Sequence, residues 1–254
     1  MLSDRQQKLL NFIIKEFVKT AKPVASELIA NKGDFDVSPA TIRSEMYELE
    51  KSGYLEQLHT SGGRVPTDKA YRHFVDSLVE KEESDPATAK AGPLSDEKRK
   101  IKTVINSTEN PSELNKRIAR TLSELCDAAV ITKILDDPDF YKTGLSSLFE
   151  FPEFREMDRV FEVVSLFDRF ESIFNKIEKH FFDQFESEFR VFIGNENPLD
   201  YIHDESMILA KYYLPQDLRG SLTIIGPTRM DYEKNLALVK FTTEELNKLF
   251  AYGR

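Results

Sequence analysis

The thirty residues from Ser38 to Thr67, SPATIRSEMYELEKSGYLEQLHTSGGRVPT, leave few folds open to this chain. Ser38 predicts a helix N-cap, because a serine hydroxyl accepts from the free N–H groups of a first turn. Pro39 follows where a missing N–H costs nothing. Gly53 fits the left-handed residue that ends a helix. Between them Ile42, Met46 and Leu49 recur at helical spacing and predict a core-facing side. Ala40, Thr41, Ser44, Glu45 and Glu48 are expected to point away, with Arg43 and Tyr47 on the flanks. The helix then runs into YLEQLHT and RVPT, expected as two short strands joined by a turn at Ser61-Gly62-Gly63.

Upstream, Ser3 and Gln6 predict a capping box ahead of KLLNFIIKEFVKT. Leu9, Leu10, Ile13, Ile14, Phe17 and Val18 supply that helix with an apolar stripe. A second short helix follows Pro23 and stops at Gly33. Three helices and a two-stranded wing form the pattern of a winged helix-turn-helix, whose third helix enters the DNA major groove. Thr41, Arg43 and Ser44 are expected nearest the bases, with Pro39 and Tyr47 beside them. Ser38, Thr60, Ser61, Arg64 and Lys69 are candidates for the phosphate backbone, and His59 and Gly62 belong to the same wing. A winged helix that serves only as a protein-interaction module is the competing reading, since Glu45, Glu48 and Glu50 would oppose phosphate if all three faced it.

Charge bears on that choice. The 254 residues carry a net charge of −9, which argues against a generic nucleic-acid coat. The imbalance is uneven: residues 1–75 hold 11 Lys/Arg and 10 Asp/Glu, and the remainder holds 24 and 34. DNA binding by the first part must therefore rely on local geometry. The single cysteine, Cys126, excludes an internal disulfide framework and fits a reducing cytosol. The N-terminus is interrupted by Asp4, Arg5 and Lys8 and does not read as a signal peptide, and the apolar runs are too short for a membrane span. A cytoplasmic protein is expected.

The length suggests two domains. A winged-helix domain over residues 1–80, a hinge over 81–97 and a second domain over 98–254 are expected. The hinge is placed on EESDPATAKAGPLSDEKRK for its prolines and small residues. TDKAYRHFVDSLVEK reads as a helix capped by Thr67. In the second domain IKTVINS and Ser112–Cys126 read as helices and AAVITKI as a strand. DDPDFYKTGLSSLF and the phenylalanine-rich run from Pro152 to Phe185 read as helical. FRVFIG, MILAKYYL and GSLTIIG read as strands, and GPTRMDY as a strand-to-helix corner with Arg229 pairing locally. This mixture makes the fold class α+β.

SPATIRSEMYELEKSGYLEQLHTSGGRVPTDKAYRHFVD resembles the signature of the HrcA family, the heat-inducible transcription repressors of bacteria. The likeness covers nearly all of residues 2–77. It returns in TGLSSLFEFPEF, IGNENP and GSLTIIGPTRMDYEKNLALV. The resemblance implies a homodimeric repressor that binds an inverted-repeat operator in double-stranded DNA upstream of chaperone genes. It also implies support from a GroEL-type chaperonin and a GAF-like second domain. The family usually has Asn and Asp at Ser44 and Glu45, and Ala at Gly62. It also carries a dimerisation domain between the regions matching AAVITK and YKTGLSSLF, an interval this chain crosses with ILDDPDF alone. The resemblance is therefore to a shortened member with a reduced sheet.

A sequence-specific repressor of heat-shock genes is the leading function. A metabolite-responsive transcription regulator, with a small molecule in the GAF-like domain, is the alternative. An enzyme is not expected, nor a cofactor or a bound metal. His59, His73, His180 and His203 are scattered without metal-ligand spacing, and there is no P-loop or G-x-S-x-G.

Overall fold

The computed structural model describes residues 2–33, 35–58, 62–84, 94–135, 137, 139–184, 189–197 and 204–252. The chain divides into two compact units, Met1–Pro86 with Thr228–Asp231, and Ala87–Pro227 with Tyr232–Arg254.

The first unit is built from helices α1 (Asp4–Thr20), α2 (Ser26–Lys32) and α3 (Pro39–Lys51), strands β1 (Leu55–Glu56) and β2 (Val65–Pro66), and helix α4 (Asp68–Ser84). Local chemistry sets each boundary. Ser3 and Gln6 form the reciprocal capping box of α1, with Gln6 N donating to Ser3 Oγ at 3.3 Å and Ser3 N to Gln6 Oε1 at 3.1 Å. Ser38 caps α3 by accepting from Thr41 N at 3.2 Å. Gly53, at φ 77°, ends it in a left-handed turn. Tyr54 N donates to Leu49 O and Gly53 N to Glu50 O, both at 2.9 Å. The strands pair antiparallel, with Leu55 opposite Pro66 and Glu56 opposite Val65. A backbone bridge joins Arg64 to Val24 through two hydrogen bonds of 2.8 and 2.9 Å. Gly63 makes that approach possible, because a Cβ there would lie 2.4 Å from the Val24 carbonyl oxygen. Leu9, Leu10, Ile13, Ile14, Ile29, Ile42, Met46, Leu49, Leu55, Tyr71, Phe74 and Val75 are buried and make the core. Arg229 Nη1 donates to the Val18 carbonyl at 3.0 Å, a partner 211 residues away in the chain.

The second unit centres on one five-stranded antiparallel sheet, so the chain is of mixed helix and sheet. Helices α5 (Ser95–Asn106) and α6 (Pro111–Cys126) lead into strands β3 (Ala129–Ile134) and β4 (Phe140–Thr143). A short helix α7 (Leu145–Leu148), the long helix α8 (Met157–Gln184), strands β5 (Phe189–Ile193), β6 (Glu205–Leu214) and β7 (Leu218–Pro227), and helix α9 (Tyr232–Tyr252) follow. The strand order is β4-β3-β7-β6-β5.

Alternation along β6 shows how the sheet is covered. Met207 and Leu209 join Ala129, Ile131 and Ile225 in one cluster with Val163, Leu166, Phe167, Phe170 and Phe174 of α8. The intervening residues face the other layer, where Tyr212 OH bonds Asn115 Oδ1 of α6 and Ser206 Oγ lies 2.6 Å from Tyr232 OH of α9. Helices thus pack on both faces, which is why β6 is buried along most of its length.

One expectation changes. DFYKT was expected to be helical, but Phe140–Thr143 is the edge strand β4, paired with β3. Its aromatic and β-branched residues suit a pleated surface. There Phe140 meets Phe170 at 6.0 Å and Phe174 at 5.3 Å, edge to face. The interval expected as a hinge is helical at both ends, since α4 runs to Ser84 and α5 starts at Ser95. Asp96 and Glu97 sit in the first turn of α5, where the helix dipole favours acid. Residues 85–93 lie outside the described residues. Of the phenylalanines in the run from Pro152 to Phe185, Phe154, Phe167, Phe170 and Phe174 are buried, whereas Phe161 is 64% exposed. The side chains of Phe181, Phe182 and Phe185 lie outside the described residues.

No described helix is long and apolar enough to cross a membrane. Among the described residues no group of three or more His, Cys, Asp or Glu side chains is arranged to hold a metal ion.

Candidate nucleic-acid interface

Helix α3 presents two unlike sides. Ile42, Met46 and Leu49 are buried against the rest of the first unit, and Pro39, Ala40, Arg43, Ser44, Tyr47 and Glu48 are exposed. Tyr47 leaves 57% of its surface in solvent. Ser38 is exposed at the N-terminal end, its hydroxyl 3.0 Å from Thr41 Oγ1, and Thr41 is half-buried. Ser38, Pro39, Arg43, Ser44 and Tyr47 therefore share one open surface of small, polar and aromatic groups, at the end where the helix dipole is positive.

The acids of α3 do not all share that surface. Glu45 was expected to point outward, but it is half-buried and pairs with Arg5 of α1. Glu50 pairs with Arg64, Nε to Oε2 at 2.8 Å, with side chains only 29% and 15% exposed. Glu48 is the exposed acid of the three. Each of the two pairs joins a helix to a neighbouring element, and each moves a carboxylate away from the polar side of α3.

Arg64 was expected at the tip of the hairpin. Its backbone is bridged to Val24 and its guanidinium is drawn back to Glu50. Lys69 is exposed, but its Nζ donates to the Ser52 carbonyl at 2.7 Å and lies 4.5 Å from the centre of the Tyr54 ring. It thus caps the C-terminal end of α3. At 1.5 Å per residue, the 13 residues of the helix separate Lys69 from Ser38 by about 20 Å. Gly62 is exposed, and His59, Thr60 and Ser61 lie outside the described residues. The expected site thus divides into a compact group on α3 and two cations held elsewhere.

Arg43 is the one cation of the compact group. Its Nη2 lies 2.7 Å from Glu27 Oε1 of α2 and 3.5 Å from Ser26 Oγ. A hydrogen bond donated by its own backbone N–H holds the Glu27 carboxyl below the usual carboxylate range, against some desolvation. The Ser26 hydroxyl and the Arg43 charge act in the same direction. The acidic partners Glu27, Glu45 and Glu50 were not foreseen as such, because each meets its base across 14 or more residues of chain.

Comparison with known proteins adds an independent line. The family described as HrcA protein C terminal domain matches residues 87–236, more than half of the chain. A protein of Thermoanaerobacter pseudethanolicus named heat-inducible transcription repressor HrcA is 28% identical over 342 aligned positions, covering 98% of this chain and 97% of that one. The protein of the same name from Natranaerobius thermophilus is 29% identical over 336 positions, covering 96% of each. Taking the 254 residues of this chain from the 342 positions leaves at least 88 that have no counterpart here. A crystal structure of a hypothetical protein superimposes with a TM-score of 0.76 over 100% of both chains at 17% identity, which shows a shared fold.

Proposed function

The chain belongs to the HrcA family, and from that premise we propose that it is a transcriptional repressor of heat-shock genes that binds an inverted-repeat operator as a dimer. Its first 80 residues act as a winged helix-turn-helix and its residues 98–254 as a GAF-like effector domain, joined by the segment between. Relatives bearing the name heat-inducible transcription repressor support the regulatory role. Repression requires no catalytic chemistry of the chain.

The observation that carries the reading is the exposed polar side of α3, from which two of three acids have been drawn to arginines. A helix fits the major groove only if its approaching side is free of bulk and of net negative charge. With α3 in the groove, Thr41, Arg43 and Ser44 are nearest the base edges, and Tyr47 lies farther along. A serine hydroxyl can donate or accept, so Ser44 recognises less sharply than the bidentate asparagine usual in the family. Ser38 and Pro39 bring the helix N-terminus to one phosphate, while Lys69 approaches another about 20 Å along the helix axis. His59, Thr60, Ser61 and Gly62 are the wing's candidates for the phosphate backbone, and Arg64 joins them only by giving up Glu50. Two copies related by a two-fold axis match the two halves of an inverted repeat. Heating releases the operator as the effector domain loosens, and a GroEL-type chaperonin restores the binding form.

A mobility-shift titration of the purified chain tests this. Retention of an inverted-repeat duplex from a chaperone-gene operator over a scrambled duplex of equal length is expected. The dependence on salt should be modest, because few bases are free to neutralise phosphate. Equal affinity for both duplexes, or no dependence on salt at all, contradicts the reading.

A further inference from the structure

Two ion pairs flank the open side of α3, and their surroundings assign them different work. Arg64 and Glu50 are largely covered, so their pair fastens α3 to the hairpin. Arg43 and Glu27 are 66% and 63% exposed, so water screens their pair and either group can exchange its partner at small cost. Glu27 also belongs to α2, so it meets Arg43 from outside the reading helix.

We infer that Glu27 is a specificity-determining residue: it occupies Arg43 until contacts along α3 seat the helix in its proper groove. This role rests on the DNA-reading function proposed above. In a loose complex with arbitrary sequence, a water-separated phosphate gives Arg43 no better contact than the carboxylate 2.7 Å away, so the arginine stays paired. Arg43 then contributes no counterion release. In the operator complex α3 enters fully, and a direct charge-assisted contact to phosphate or base replaces the exposed pair. Glu27 thus weakens binding where sequence is wrong more than where it is right.

The test uses the full chain and two probes, the inverted-repeat duplex and a scrambled duplex of the same length, titrated from about 0.05 to 0.3 M salt. On the scrambled duplex Glu27→Gln is expected to steepen the salt slope by about 0.9 per bound protomer, and so to tighten binding about eightfold at 0.1 M. On the inverted repeat the slope stays as it was, and affinity rises only about two- to fivefold, the release of one exposed pair. Discrimination therefore falls about two- to fourfold. In the double variant Glu27→Gln with Arg43→Ala, the gain on scrambled DNA disappears. Circular dichroism and thermal unfolding of each variant check that the fold is kept.

Wild-type discrimination together with an unchanged slope for Glu27→Gln on scrambled DNA overturns the role of Glu27 alone. A gain that survives loss of Arg43 also overturns it, since the effect would then be charge at large. Failure of the wild type to bind either duplex removes the DNA reading and this role with it.

Discussion

Replacing Glu205 with glutamine should change how stability depends on pH. Glu205 opens β6 with only 3% of its surface exposed, and its Oε2 accepts no hydrogen bond from the described residues. Burial pushes its carboxyl up from about 4.5 to about 7; the Arg159 charge pulls the other way and the Glu162 charge adds to the rise. Arg159 cannot fully offset burial because it is shared, pairing with Glu162 at 2.7 Å and with Asp204. Since the folded state holds the Glu205 proton more tightly than the unfolded chain does, stability from this group is complete below about pH 4.5. It falls as pH rises towards 7 and is lost above it. At about 1.4 kcal/mol per pH unit, the whole effect is about 3 kcal/mol. Glutamine retains the shape and carries no proton to lose, and Asn197 Nδ2 still holds the backbone carbonyl of residue 205 at 2.8 Å. Urea unfolding at a series of pH values from 5 to 8.5 measures this. The wild type should lose stability across that range relative to Glu205→Gln, and the variant should be the more stable at pH 8, by about 3 kcal/mol of unfolding free energy. Parallel profiles for the two proteins would show that Glu205 is not held neutral by its surroundings, and the reasoning would fail.

Three further outcomes follow from the packing. Gly53→Ala puts a Cβ on a residue at φ 77°, and should cost about 1 kcal/mol in denaturant unfolding although no atom blocks the methyl group. Phe170→Ala opens a hole between α8 and the sheet where Phe140 and Phe174 meet it, and should cost about 3–5 kcal/mol with a matching fall in Tm. Ser44→Asn adds a bidentate group to the open side of α3, and binding to a library of operator variants should shift towards adenine at one position in each half-site.

The first unit was largely legible because its decisive signals are local. Ser38, Pro39 and Gly53 each act within one helical turn, and Ile42, Met46 and Leu49 mark the buried side by spacing alone. The outward direction assigned to Glu45 failed for the opposite reason: Arg5, forty residues earlier, draws it in. Arg64 sits beside two glycines and so resembles a free wing cation, yet Glu50 holds it from fourteen residues away. In the second unit the long runs of apolar residues identified β3, β6 and β7 correctly. β4 was lost because the strand character of Phe140–Thr143 depends on pairing with β3, which no spacing within four residues reveals. Glu205 gave no sign of burial, since its enclosure comes from tertiary packing that nothing in its neighbouring residues announces.

The hairpin of β3 and β4 bears on how such a chain tolerates large changes of length. Lys133 and Phe140 stand opposite each other on antiparallel neighbours, so the chain leaving β3 and the chain entering β4 lie only about 5 Å apart at that pair. Any inserted module whose own ends lie close together meets that span as readily as a short connection does. The family resemblance locates its extra domain in this interval, and such a domain can come or go there as a cassette, with Phe140 keeping its place over Phe170 and Phe174. Loss of a whole lobe at this edge therefore leaves the rest of the scaffold in register.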